Sequence, residues 1–161
     1  MKVELNLEEL RVFLNKADKP HADGTAKIVR EPDGSSSISF ADGNWKMHDN
    51  FFGGEPYGGR QVVYFKNQPV WLFVYYGQIT DKSLDVHPIY NFLRKSLQQA
   101  PVNGFSRGPA SYRDGSLEYR NQATGSLESF KGREVILSND TQVYWAEYMG
   151  GLVDIHARGE Y

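Results

Sequence analysis

Gly59-Arg60-Gln61-Val62-Val63 returns 73 residues later as Gly132-Arg133-Glu134-Val135-Ile136, and the register then holds without a gap to Gly77 and Gly150. Six of the nineteen pairs across 59–77 and 132–150 are identical, among them Tyr75 with Tyr148. Upstream, with one residue inserted, Asp42-Gly43-Asn44-Trp45-Lys46-Met47-His48-Asp49-Asn50 lines up with Asp114-Gly115-Ser116-Leu117-Glu118-Tyr119-Arg120-Asn121-Gln122. Phe13-Leu14-Asn15-Lys16 resembles Phe92-Leu93-Arg94-Lys95 in the same way. Self-similarity of this kind decides the architecture before any single element is read.

Within each copy the pattern predicts one helix followed by about four antiparallel strands. Leu7, Leu10, Phe13 and Leu14 recur at helical spacing behind a potential Asn6 cap, with Glu8 and Glu9 in the first turn. Pro88 suits a first helical position ahead of Ile89, Phe92, Leu93 and Leu97. From Asp18 to Ser37 turn residues dominate, and the stretch reads as loop with a short edge strand at 26–30. Alternating segments around Asp42-Gly43 and around Asn67-Gln68 read as hairpins. The second copy reads as strands over 117–121, 126–131, 133–138 and 141–149. A lone four-stranded sheet with one helix is marginal, so the two copies should pool their sheets. The expectation is an α+β fold: a tandem repeat of helix plus four-stranded antiparallel sheet about a pseudo-twofold axis. Residues 1–86 and 87–161 would be the two repeats of a single domain with one shared core.

Alternation along 70–76 puts Val70, Leu72, Val74 and Tyr76 on one side and Trp71, Phe73 and Tyr75 on the other. The aliphatic side suits packing under a helix. The aromatic side, continued by Tyr144, Ala146 and Tyr148, is either the core between the repeats or the lining of a cleft.

The chain has 18 basic and 20 acidic residues, so no basic footprint for a phosphate backbone appears. With no cysteine there is no disulfide framework, thiolate metal site or cysteine nucleophile. The longest apolar run, Val70–Tyr76, is far short of the roughly 20 residues of a membrane span. Acidic residues at Glu4, Glu8 and Glu9 do not suit a signal peptide. A cytoplasmic protein that contacts neither membrane nor nucleic acid directly is expected.

Few residues announce chemistry. Gly104-Phe105-Ser106-Arg107-Gly108 matches the G-x-S-x-G elbow, but a helix end precedes it and Pro109 follows, so a plain loop is expected. His21, His48, His87 and His156 fit no metal-ligand spacing. His48 lies beside Asp49 and near Glu55, the one arrangement that suits a general base. His48 and Asp49 point to opposite faces of a strand, however, so no catalytic residue, metal or cofactor is assigned. Asn50–Arg60 is the best site segment, since four glycines permit close backbone approach and Phe51, Phe52 and Tyr57 can cover a ligand. The expected function is binding of a small, partly aromatic or cationic ligand in a cleft lined by Trp71, Tyr75, Tyr144 and Tyr148. Asp49, Glu55, Arg60 and Glu147 would be its polar anchors. The alternatives are a protein-interaction module using the same aromatic face, or a hydrolase-type centre at His48, Asp49 and Glu55.

The run from Asp42-Gly43-Asn44-Trp45 through His48-Asp49-Asn50-Phe51-Phe52-Gly53-Gly54, Gly59-Arg60-Gln61-Val62-Val63-Tyr64, Pro69-Val70-Trp71 and Tyr75-Tyr76-Gly77 resembles an uncharacterised bacterial family. The likeness continues through Arg107-Gly108-Pro109, Tyr112, Gly115 and Tyr119 and covers roughly residues 20–151. Members occur alone or behind an XRE-type helix-turn-helix segment, which implies a sensor or interaction module. Residues 1–18 here read as one helix, not as a helix-turn-helix bundle. Tandem helix-and-sheet repeats also look like the beta-lactamase inhibitor protein, a likeness of architecture alone.

Overall fold

A computed structural model describes residues 4–154 as two helices and nine strands. In chain order these are α1 (Leu7–Ala22), β1 (Val29–Arg30), β2 (Ser36–Asp42), β3 (Trp45–Gly53), β4 (Tyr57–Phe65) and β5 (Gln68–Ile79). They are followed by α2 (Val86–Leu97), β6 (Ser111–Asp114), β7 (Leu117–Ser126), β8 (Ser129–Ser138) and β9 (Thr141–Leu152). All strands join one antiparallel sheet in the order β1-β2-β3-β4-β5-β9-β8-β7-β6, so the fold is α+β.

The hairpins follow from local chemistry. Lys66-Asn67 and Asn139-Asp140 both sit at positive φ, the conformation that lets a two-residue turn match strand twist. Asn6 starts α1 by accepting from the backbone N–H groups of Glu8 and Glu9 at 3.0 and 3.2 Å. Asp85 caps α2 through the N–H of His87, so this helix opens two residues before Pro88. Proline is tolerated there because the first turn has no acceptor for its missing N–H. α1 continues through Pro20 to Ala22, beyond the expected end at Asp18. The loss of one hydrogen bond in the last turn is tolerated, and Gln98 Nε2 donates to the free Ala22 carbonyl at 2.9 Å.

Several expected boundaries move. The first half has five strands because the two-residue β1 pairs with β2. In the second half β6 forms ahead of β7. The expected strands 126–131 and 133–138 are one strand, β8, with the β7–β8 turn at Leu127-Glu128.

The larger correction concerns which face is covered. The β5–β9 register pairs Trp71 with Leu152, Tyr75 with Tyr148 and Ile79 with Tyr144, which puts the aromatic stripes of both strands on one face. Both helices pack on that face. Leu10, Phe13 and Leu14 of α1 join a buried cluster with Trp71, Phe73, Phe130 and Tyr148, while Ile89, Phe92 and Leu93 of α2 join Ile79, Tyr144 and Ala146. The aliphatic face is the uncovered one, with Val74, Tyr76 and Met149 exposed. Aromatic side chains fill the span between a sheet and short helices better than valine or leucine, which is why the covered side is the aromatic one. Both clusters draw on residues from both halves, so the halves share their core.

Two substitutions test this packing by chemical denaturation. Trp71→Ala should cost about 3–5 kcal/mol, because Trp71 is fully buried and its Nε1 donates to the Leu127 carbonyl at 3.0 Å. Gly132→Ala should cost about 1–3 kcal/mol, because a Cβ there would fall within the Tyr148 ring.

Candidate ligand-binding cavity

Tyr75 and Tyr148 face each other across the β5–β9 junction, and each phenol crosses a glycine of the neighbouring strand. Tyr75 lies over Gly59, where a Cβ would come within 2.7 Å of its hydroxyl, and donates to Asp49 Oδ1 at 2.6 Å. Tyr148 lies over Gly132 and donates to Asn121 Oδ1 at 2.6 Å. Beside Asp49 on β4 stands Gln61, whose Nε2 donates to Asp18 Oδ1 of α1 at 3.0 Å. Beside Asn121 on β8 stands Glu134, fully buried against Arg107.

Glu134 is the hub of a hydrogen-bonded cluster. Arg107 grips both its oxygens, with Nε 3.1 Å from Oε2 and Nη2 on Oε1. Tyr119 donates to Oε2 at 2.6 Å and Tyr144 to Oε1 at 3.0 Å. Tyr57 bridges the Tyr144 hydroxyl and Arg107 Nη2. A bidentate guanidinium and two phenols satisfy this carboxylate, as its burial requires.

On the Asp49 side the same face opens into a cavity of about 250 Å³, close to the lower end of ordinary small-ligand sites at about 300 Å³. Its floor is Asp49, Phe51, Gln61, Phe73 and Tyr75 of the sheet. α1 contributes Asp18, His21 and Ala22, and α2 contributes Tyr90, Leu93, Arg94 and Leu97. Ser106, Arg107, Gly53-Gly54 and Tyr57 complete the lining, with Arg107 Nη2 3.4 Å from the Tyr57 hydroxyl. The β3–β4 loop is tied down because Glu55 accepts from the Ile79 N–H at 2.9 Å and from the Tyr90 hydroxyl.

Burial raises the Asp49 carboxyl from the usual carboxylate range to about 6, against the opposing pull of the Tyr75 hydrogen bond and the Arg107 charge. Asp18 is likewise raised to about 6, first by burial and then by the neighbouring Asp49 charge, with Gln61 and Arg107 opposing. Loss of solvent on its cavity side, then the charges of Arg107 and Arg94, push the His21 pKa down. Among the described residues each of the two aspartates has one protein hydrogen bond, which leaves capacity for a guest.

Of the residues expected at a site, Asp49, Tyr57 and Tyr75 line this cavity. Glu55 stands behind it, on Tyr90. Trp71, Tyr144 and Tyr148 are buried in the core beneath the helices, so neither a cleft nor an interaction surface is built from them. Arg60 is exposed, and Glu147 is an exposed partner of Arg133 at 2.6 Å. His48 and Asp49 occupy alternate faces of β3, and Glu55 is engaged with Tyr90, so the His48, Asp49 and Glu55 centre is not assembled. The elbow-like Gly104–Gly108 segment is loop, as its flanks indicate, and Ser106 within it lines the cavity. Among the described residues no three potential metal ligands cluster, and no helix is long and apolar enough to cross a membrane. His156 lies outside the described residues.

Sequence reasoning missed Asp18, His21, Tyr90, Arg107 and Glu134. Only Glu134 left a usable trace. It replaces Gln61 at an inward strand position between Gly132 and Ile136, where an unpartnered carboxylate is not tolerated.

No curated protein and no solved structure matches the chain. A family profile, described as a domain of unknown function (DUF5680), matches residues 49–153, from the floor aspartate to the end of the sheet. The chain therefore belongs to the DUF5680 family.

Proposed function

We propose that this protein binds a small organic ligand in the cavity between α1, α2 and the sheet. The observation that carries the reading is the pairing of aromatic walls with two carboxylates, each held by one hydrogen bond, in a space about the size of a small ligand. Polar groups placed for structure alone are normally saturated, as Glu134 is. Asp18 and Asp49 instead keep unused acceptor capacity on one cavity, with burial opposing the charge of each. A binding role of this sort fits a sensor better than a scaffold.

We infer further that the sheet descends from an internal duplication about the β5–β9 junction. Several registers support it. The β-bulges fall at Val63/Tyr64 and Ile136/Leu137, 73 residues apart, as do the positive-φ turns at Lys66-Asn67 and Asn139-Asp140. The β5–β9 pairing is unchanged when each residue is exchanged for its counterpart 73 positions away, so that Trp71–Leu152 becomes Tyr144–Ile79. On this reading Asp49 and Asn121 are counterparts, and only the first half retains an open site.

Two outcomes test the proposal. A fragment set observed by NMR should perturb the amides of Gly53, Leu93 and Ser106, and Ala22→Phe, which fills the cavity from the end of α1, should abolish those shifts without unfolding the protein. Fragments that gather instead on the open face, around Val74 and Met149, would refute it. The second outcome concerns pH. Both aspartates bind protons more tightly in the folded chain than in the unfolded one, so their contribution to stability is greatest in acid and declines as pH rises through about 6. Asp18→Asn/Asp49→Asn should therefore melt higher than the parent at neutral pH, and the gap should close towards about pH 4.

A further inference from the structure

From the charges that face the cavity we propose that its ligand is an organic amine, bound as a monocation with its ammonium between Asp18 and Asp49 and its apolar body against the aromatic wall. The assignment rests on the binding role proposed above and adds the ligand's chemistry.

The charge census is uneven. α1 presents Asp18 and His21, β3 presents Asp49, and the tyrosines Tyr57, Tyr75 and Tyr90 come from β4, β5 and α2. Arg107 faces the same space, but its guanidinium is committed on both edges to Glu134 of β8. Arg94 of α2 also lines the cavity, and its Nη1 is turned onto Asn91 at 2.8 Å. Glu55 stays outside, behind Tyr90. The phenols are held neutral, because burial first of all raises the pKa of Tyr57, Tyr75 and Tyr90. His21 is driven towards its neutral form. With the Arg107 guanidinium spent on Glu134 and Arg94 Nη1 on Asn91, the charged groups that keep most hydrogen-bonding capacity in the cavity are Asp18 and Asp49.

Two carboxylates that line one cavity, Asp49 buried and Asp18 half-buried, each with a single hydrogen bond, favour a proton or a bound cation. The walls favour the cation. Phe51, Phe73, Tyr57, Tyr75 and Tyr90 offer aromatic faces and edges around the pair, with Tyr57 at 6.0 Å from both Tyr75 and Tyr90 between ring centroids. Such rings attract an ammonium and pack a flat hydrocarbon body. An anionic ligand would meet the two carboxylates, and a hydrated metal ion would find apolar walls where it needs oxygen ligands. Below about pH 6 binding of the amine should release protons from the two carboxyl groups.

The test uses three probes of one shape and different charge: benzylamine, benzyl alcohol and benzoate, measured by calorimetry on the full chain. Benzylamine should bind at least about tenfold more tightly than the alcohol, benzoate should be weakest, and benzylamine affinity should rise about tenfold from about pH 5 to about pH 7.5 as the carboxylates ionise. Asp49→Asn keeps the acceptor for Tyr75, as Asn121 does for Tyr148. It should remove most of the preference for benzylamine over benzyl alcohol, and Asp18→Asn should do the same. If benzyl alcohol or benzoate binds as well as benzylamine, the amine assignment fails and the cavity stands as the binding site. If none of the three binds, both readings fail.

Discussion

A tyrosine laid across a glycine is the unit on which this sheet is organised. Tyr75 and Tyr148 sit opposite one another where the two halves meet, and each reaches outward over the adjacent strand to a hydrogen-bond acceptor on the strand beyond. Each phenol therefore ties three strands together and fills the space that a missing Cβ leaves at Gly59 or Gly132. A larger residue at either glycine would lift the ring and release its acceptor. Aromatic packing at the junction, the strand spacing beside it and the placement of Asp49 all depend on that single vacancy in the chain.

The two sides of the β5–β9 junction differ in how their polar groups are matched. Glu134 has both carboxylate oxygens matched, since Arg107, Tyr119 and Tyr144 converge on them. Beside Asp49 the neighbour on β4 is the neutral Gln61, which turns to Asp18 and leaves two carboxylates on one cavity. A buried pair of like charges opposes folding, whereas a saturated buried ion pair gives the chain a fixed arrangement at little net cost. One side is thus a saturated cluster, and the other keeps two carboxylates with one hydrogen bond each.

Much of this architecture was legible in the sequence. The hairpins around Asp42-Gly43 and Asn67-Gln68, both helices, and the opposition of His48 to Asp49 follow from turn chemistry and periodicity. The covered face was not legible, because Val70–Tyr76 is apolar on both sides and alternation alone carries no information about depth. Nor was the cavity. Its charged members come from positions 18, 49, 94 and 107, which no local spacing connects, and Asp18 resembled a helix terminus because Pro20 stands two residues on. Long-range pairs such as Arg107 with Glu134 are created when the loop between α2 and β6 folds onto the sheet, and they exist only in three dimensions.

The family match begins at Asp49, and α1 ends at Ala22. The floor, the α2 wall and the Glu134 hub therefore lie in the shared domain, while Asp18, His21 and Ala22 come from a helix that precedes it. The cavity is thus assembled from two stretches of chain, and a change confined to residues 18–22 would alter its lining while leaving Asp49, Tyr75 and every strand register in place.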